Sequence, residues 1–160
     1  MTSKANFSEE EWDRIRRAPF VAGMAISIAD PGGPIEVAKE TMASVRSATV
    51  PPSEEELLLA LAHDIQASVQ KKQNPMGGFK PTSSALAGQE VLEELRAVNE
   101  IVTAKATPEE AAAFRTWLLT TAQAAADAAK EGGFMGFGAE QVSKGEQAML
   151  DQLEATLGAN

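Results

Sequence analysis

Three helix starts recur along this chain, and a pair of glycines follows each of them at nearly the same distance. Ser8, Ser53 and Thr107 each carry a capping hydroxyl, and a glutamate follows each three residues later. In this capping-box pattern the hydroxyl and the carboxylate satisfy free backbone N–H groups at the start of a helix. The glycine pairs lie 24 or 25 residues further on and begin at Gly32, Gly77 and Gly132. The recurrence predicts three units, each with two helices separated by glycines.

A second helical segment follows each glycine pair, at about 34–48, 84–105 and 143–157. The composition favours helix, because strand-forming residues are sparse, Tyr is absent, and Ala, Glu, Leu, Gln and Lys dominate outside the breaks. Short connections predict that successive helices are antiparallel neighbours. We therefore expect an all-α fold with about six helices in one bundle. We expect the chain, 1–160, to form a single domain made of three successive helix hairpins at about 8–49, 53–105 and 107–158.

The first helical segment differs from the others in two respects. It contains Pro19, which we expect to interrupt it, and residues 20–29 are apolar on every face. A helix without a polar face is usually central, and Gly23 would let a neighbouring helix approach closely. We predict that 20–29 is the most buried segment. Elsewhere, apolar positions at helical spacing predict core faces that carry Leu58, Leu61, Ile65, Val69, Leu92, Leu95, Val102, Phe114, Leu118, Thr121 and Ala125.

Charge and cysteine content narrow the range of functions. The net charge is −9 at pH 7, and Arg14, Arg16 and Arg17 form the only tight basic cluster, so no nucleic-acid partner is expected. Cysteine is absent, which excludes disulfides and thiolate metal ligands and favours a reducing compartment; we expect a cytoplasmic protein. The longest apolar stretch, 19–29, is too short to span a bilayer, so neither membrane insertion nor secretion is expected.

The most unusual segment is 131–140, in which four glycines alternate with two phenylalanines and a methionine. Linkers are polar and helices are poor in glycine, so this composition fits neither. One interpretation is a helix end followed by a loop that packs its rings against the bundle. The other is a binding site for a protein partner or a small apolar ligand. The residues of that site would be Gly132, Gly133, Phe134, Met135, Phe137 and Gly138.

Carboxylates near the same segment suggest an alternative, a metal-binding protein or an enzyme at this end of the bundle. The candidate ligands are Asp127, Glu131, Glu140 and Glu146, although the segment lacks the alternating carboxylates of a calcium loop. The single histidine, His63, lies off the neighbouring apolar stripe, so we expect it to be exposed. The Glu-x-x-His pairs of di-iron proteins are absent. No catalytic residue and no cofactor is predicted.

The second glycine pair lies in a connection, 73–83, that is long for a helical bundle. Pro75 and Pro81 stop the helix on both sides. We interpret this segment as a flexible turn, with a functional loop as the alternative.

Two parts of the chain resemble a family of small, acidic, all-helical bacterial proteins whose function is uncharacterised. The first part carries a GGFxGFG signature and comprises residues 128–138 followed by Val142, Ser143 and Glu146. The second part is the opening, with residues 7–12, Ala18-Pro19 and Ala22-Gly23. The resemblance covers about a quarter of the chain. It implies a natural bacterial helical protein and carries no functional residue over.

These observations favour a non-enzymatic helical module that binds a protein partner or a small apolar ligand through segment 131–140. The carboxylate-based metal protein or enzyme is the first alternative. The second is a homodimer with a structural role, in which the apolar first helix supplies the interface.

Overall fold

Six α-helices pack together in this chain. The structure is a computed structural model that describes residues 2–130 and 142–158, and no strand occurs in those two ranges. A short 3-10 turn, Lys4–Asn6, precedes the first helix. The helices are α1 (Glu9–Ala29), α2 (Pro34–Ala48), α3 (Glu56–Gln70), α4 (Ala87–Lys105), α5 (Pro108–Lys130) and α6 (Lys144–Gly158). The predicted all-α class with six helices is confirmed.

Two of the three predicted capping boxes form. Before α1, the Glu11 backbone N–H donates to Ser8 Oγ over 3.1 Å, and the Ser8 N–H donates to the Glu11 carboxylate over 2.8 Å. Thr107 and Glu110 make the same reciprocal pair before α5, at 3.1 and 3.0 Å. Each box satisfies two backbone donors that the first turn of a helix leaves free. Local sequence alone therefore determines where α1 and α5 begin.

The predicted box at Ser53 is wrong. Helix α3 begins three residues later, at Glu56, and Ser53 Oγ is buried without a partner in the described part of the chain. The first turn of α3 finds a distant acceptor instead, because the Leu57 N–H donates to the Glu110 carboxylate of α5 over 3.4 Å. A further capping box, which is not among the three predicted ones, forms before α6, where Ser143 and Glu146 exchange hydrogen bonds of 3.1 and 3.2 Å.

Helices α1 and α5 form the centre of the bundle, and each packs against all five other helices. The consecutive pairs α1 with α2 and α5 with α6 also pack against each other. The middle pair, α3 and α4, does not pack closely together, so it does not form the predicted hairpin. The longer segment 71–86 separates these two helices, and both of them pack against α1 and α5. The predicted core faces are confirmed, with nine of the eleven positions buried and Val69 and Leu92 half-buried.

Helix α1 runs without a break through Pro19, so the predicted interruption is wrong. A proline inside a helix removes one backbone hydrogen bond and strains the preceding turn. Here the loss is offset by packing, because residues 18–23 form the longest buried run in the described ranges. The segment predicted to be the most buried, 20–29, has six of its ten residues buried, so the most buried part of the helix begins earlier than predicted. Within 20–29, Met24, Ser27, Ile28 and Ala29 stay half-buried.

Gly23 brings α1 and α2 together, as the sequence predicts. A Cβ atom at Gly23 would lie 2.1 Å from Ser44 Oγ and 2.8 Å from Ser44 Cβ. Such distances are shorter than real Cβ atoms tolerate, so only glycine allows this approach.

None of the described helices combines the length and the hydrophobicity that crossing a membrane requires.

Candidate functional site

The residues predicted to bind a partner, Gly132, Gly133, Phe134, Met135, Phe137 and Gly138, lie outside the described residues, as do Glu131 and Glu140. The other two predicted metal ligands are described and have separate local roles. Asp127 is exposed on α5 and accepts a hydrogen bond from Gln123, whereas Glu146 is buried and caps α6. Across 2–130 and 142–158, no three His, Asp or Glu side chains are grouped so that they could hold a metal ion.

The end of the bundle where α1 ends and α6 begins contains two buried carboxyl groups. Glu40 is 1% exposed and accepts a hydrogen bond from Ser27 Oγ, and Glu146 is 5% exposed. Burial is the main cause that raises the pKa of Glu40 and of Glu146, and the negative charge of Asp30 raises both pKa values further. These carboxyls therefore favour the protonated form more than exposed ones do. His63 is 84% exposed, as predicted.

The candidate site is a depression at the α1–α2 contact, and its larger part is apolar. This apolar lobe has a volume of about 210 Å³. It forms where Gly23 and Ser44 hold the two helices close and where the 71–86 segment covers the seam with two of its residues. Its lining comprises Phe20, Gly23, Met24, Ser27, Val37, Thr41, Ser44, Pro75 and Met76.

Consecutive turns hold the 71–86 segment beside the lobe. The Met76 N–H donates to Asn74 Oδ1 over 3.0 Å, and the Gly77 N–H donates to the Asn74 carbonyl over 3.1 Å. Gly77 has a φ of +56°, a conformation that side-chain-bearing residues rarely adopt. Met76 and Phe79 are partly buried against the core. The segment is thus built into the depression, a role that its proline and glycine content did not indicate.

A smaller polar lobe adjoins the apolar lobe. Its volume is about 100 Å³, and the two lobes share Phe20 and Pro75 as lining residues. Arg16 and Arg17 of α1 line the polar lobe together with one carboxylate, Asp13. The rest of its lining comprises Ile65, Ser68, Val69, Gln73, Asn74, Gly77 and Gly78.

The two arginines of the polar lobe are unequally engaged. Arg16 donates to Ser68 Oγ over 3.0 Å and to Asp13 over 3.1 Å. Arg17 donates to Glu94 over 3.3 Å, and within the described residues its buried Nε has no partner. The guanidinium also lies 5.7 Å from the centre of the Phe79 ring. Arg17 therefore retains unused donor capacity at the base of the lobe.

Arg14 explains the weak pairing of Arg17, because it is the main partner of Glu94. It donates twice to that carboxylate, over 3.0 and 2.9 Å. Burial alone would raise the pKa of Glu94, but the hydrogen bonds and positive charges of Arg14 and Arg17 hold it below its ordinary value. Glu94 is thus a fixed negative charge already shared by two arginines.

The face of α2 turned away from the apolar lobe exposes large apolar side chains. Ile35 is 72% exposed and Met42 is 64% exposed, and a spacing of seven residues places both on one side of the helix. Val37, which lines the lobe, is 40% exposed. Val37 lies about 200° around the helix from Ile35, so the exposed apolar face of Ile35 and Met42 and the lining of the lobe are on different sides of α2. In comparisons with known proteins, no family model, no curated protein and no solved structure matches the chain.

Proposed function

We propose that this protein is a non-enzymatic helical module that binds a small apolar ligand in the apolar lobe. The supporting observation is the combination of volume and lining. An engineered apolar cavity of ~150 Å³ is enough to admit benzene, and the lobe has about 210 Å³. Among its described lining residues none ionises, which fits binding better than acid–base chemistry.

The methionines of the lobe support the same function. Met24 lies on α1 and Met76 lies on the covering segment, so the lobe has a thioether on two of its walls. Methionine side chains are flexible and polarisable, and they adapt to apolar ligands of different shapes. Occupation of the lobe would bury both methyl groups more deeply.

The six methionines of the chain provide the test. We would label their methyl groups with ¹³C, assign them by Met→Leu substitution, and titrate the protein with the neutral ligand 1-octanol. Met24 and Met76 should shift and saturate, whereas the core residue Met149 should not move. Thr41→Trp should block binding by filling the lobe from its exposed edge. Ala38→Trp, at an exposed position on the same helix outside the lobe lining, is the matched control.

The same spectra test the sequence-based prediction that segment 131–140 is the binding surface. A saturable shift of Met135 without one at Met24 and Met76 would move the site to that segment and overturn the assignment to the lobe. Absence of any saturable shift would contradict ligand binding at both places. The carboxylate alternative, which depends on Glu131 and Glu140, is tested by elemental analysis of the purified protein.

The exposure of Ile35 and Met42 favours a second candidate function, self-association through the outer face of α2. Two large apolar side chains on one exposed face are the kind of surface that a second copy covers. Dilution of the ligand-free protein should then shift the Met42 methyl signal, and light scattering should show a dimer. A monomer at micromolar concentration would remove this candidate.

A further inference from the structure

We propose that the ligand of the apolar lobe carries an anionic end, a carboxylate or a phosphate, which Arg17 and Arg16 bind in the polar lobe. This inference rests on the proposed function and specifies the chemistry of its ligand. The two lobes adjoin at Phe20 and Pro75, so a molecule that reaches past these residues would occupy both. Its apolar body would lie against Met24 and Met76.

Charge in the polar lobe is the first argument for an anion. The whole chain has a net charge of −9, yet the lining of this lobe has two arginines and one carboxylate. The Glu94 carboxylate that contacts Arg17 lies outside this lining, and the charge of Arg14 balances it. The carboxylate of the lining, Asp13, has a side chain 53% exposed and is bonded to Arg16. The lobe is therefore a locally cationic site on an acidic protein, which favours a negatively charged group over a positive one.

The unused donors of Arg17 are the second argument. A guanidinium has five N–H donors in a planar fork that matches a carboxylate or a phosphate. In the described structure Arg17 donates only to Glu94, over 3.3 Å, and its Nε is buried and has no acceptor. Arg14 already holds Glu94 by two shorter bonds, so Glu94 would keep a partner if Arg17 turned its fork toward an added anion. Such an anion would supply the acceptor that Nε lacks.

The glycine pair of the covering segment is the third argument. Gly77 lies next to Arg17, since a Cβ atom there would be 3.9 Å from Arg17 Nη1. A Cβ atom at Gly78 would meet nothing within 4 Å. The wall that faces the guanidinium is therefore bare backbone beside open space, and a small charged group can approach it closely. The volume of about 100 Å³ suits a headgroup of this size.

The test compares three ligands that share one chain and differ in the end group: octanoate, octyl phosphate and 1-octanol. Dissociation constants come from the Met24 and Met76 methyl signals at low ionic strength. At least one of the two anions should bind ten or more times more tightly than octanol, and their ratio distinguishes carboxylate from phosphate. Arg17→Gln should bring that anion to within about threefold of octanol while leaving the octanol constant unchanged within twofold.

Two further variants keep the result interpretable. Arg46→Gln removes the same charge from an exposed position on α2 outside the lobe, and it should leave anion binding unchanged within twofold. Arg16→Gln addresses the same lobe and serves if Arg17→Gln does not fold, which the loss of octanol binding would reveal. Arg16→Gln should raise the dissociation constant of the anion at least threefold.

Three outcomes would overturn the inference. If octanol binds and neither anion binds more tightly, the anionic end is wrong while the proposed function stands. If Arg17→Gln and Arg46→Gln weaken binding of the anion equally, long-range electrostatic attraction accounts for the effect and binding in the polar lobe does not. If none of the three ligands shifts Met24 and Met76, the proposed function fails together with the inference.

Discussion

Replacing Gly23 with alanine tests the contact that builds the site. A Cβ atom there would lie 2.1 Å from Ser44 Oγ, whereas ordinary van der Waals contact begins at 3.4 Å. Rotation of the Ser44 hydroxyl relieves only part of the clash, because Ser44 Cβ would still be 2.8 Å away and is fixed to the backbone of α2. Gly23→Ala therefore forces α1 and α2 apart.

Two opposing effects set the expected magnitude. Alanine is the better helix former by about 1 kcal/mol in a helix interior. Overpacking of a close core contact costs ~1–3 kcal/mol. We expect Gly23→Ala to lower the free energy of unfolding by up to about 2 kcal/mol, the overpacking cost less the gain in helix propensity. Gly88→Ala is the matched control, because its Cβ would make only ordinary contacts, 3.6 Å from Met149 Cε and 3.8 Å from Ile28 Cγ2. This control should stabilise the protein by about 0.5–1 kcal/mol.

A double-mutant cycle in urea, followed by far-UV circular dichroism, measures the contact directly. Ser44→Gly removes both clashing atoms, so Gly23→Ala/Ser44→Gly should recover most of the loss, with a coupling free energy of about 1–3 kcal/mol. Ser44→Ala keeps Cβ and should rescue less. Additivity of the single and double variants within about 0.5 kcal/mol would refute the reasoning, since uncoupled sites add within that error.

Two further predictions concern a buried carboxyl and the capping residues. Burial, with the charges of Asp30 and Glu36, raises the pKa of Glu40 above its ordinary 4.5 against the opposing hydrogen bond from Ser27. The folded chain therefore binds the carboxyl proton of Glu40 more tightly than the unfolded chain does. At neutral pH the charged carboxylate destabilises the fold, and this loss of stability disappears as the pH falls below 4.5. Glu40→Gln should raise the urea midpoint at pH 7 and give no advantage at about pH 4; an equal advantage at both would contradict burial as the cause. Ser8→Ala should cost about 1 kcal/mol in thermal or urea unfolding, whereas Ser53→Ala should cost nothing, because Ser53 Oγ caps no helix. Equal losses in the two serine variants would refute the assignment of helix starts.

Features of the fold that depend on local chemistry were predictable from the sequence. The predicted second helix, 34–48, matches α2 to the residue, because Gly33-Pro34 determines its start locally. Ser8 and Thr107 cap their helices with glutamates three residues away. The failures at Ser53 and Pro19 share one cause. At both positions a contact or packing from distant parts of the chain outweighs the local preference.

The candidate site was less predictable, because its parts are far apart in sequence. Met24 and Met76 face one lobe from segments 52 residues apart, and Arg17 meets Glu94 across 77 positions. In the sequence, the arginine cluster bears only on whether the chain could bind nucleic acid. The available signal was the pairing of that cluster with a glycine turn flanked by Met76 and Phe79, and no spacing rule connects the two.

The central position of α1 and α5 has a consequence for synthesis of the chain. Ala29 ends α1 and Pro108 begins α5, so about 80 residues must be added before the two helices can meet. At roughly 5–20 residues per second this takes about 4–16 s. During that interval the apolar run 20–29 has left the ribosome without one of its two most extensive neighbours. Apolar surface left exposed in this way is prone to aggregate until its last neighbour is made.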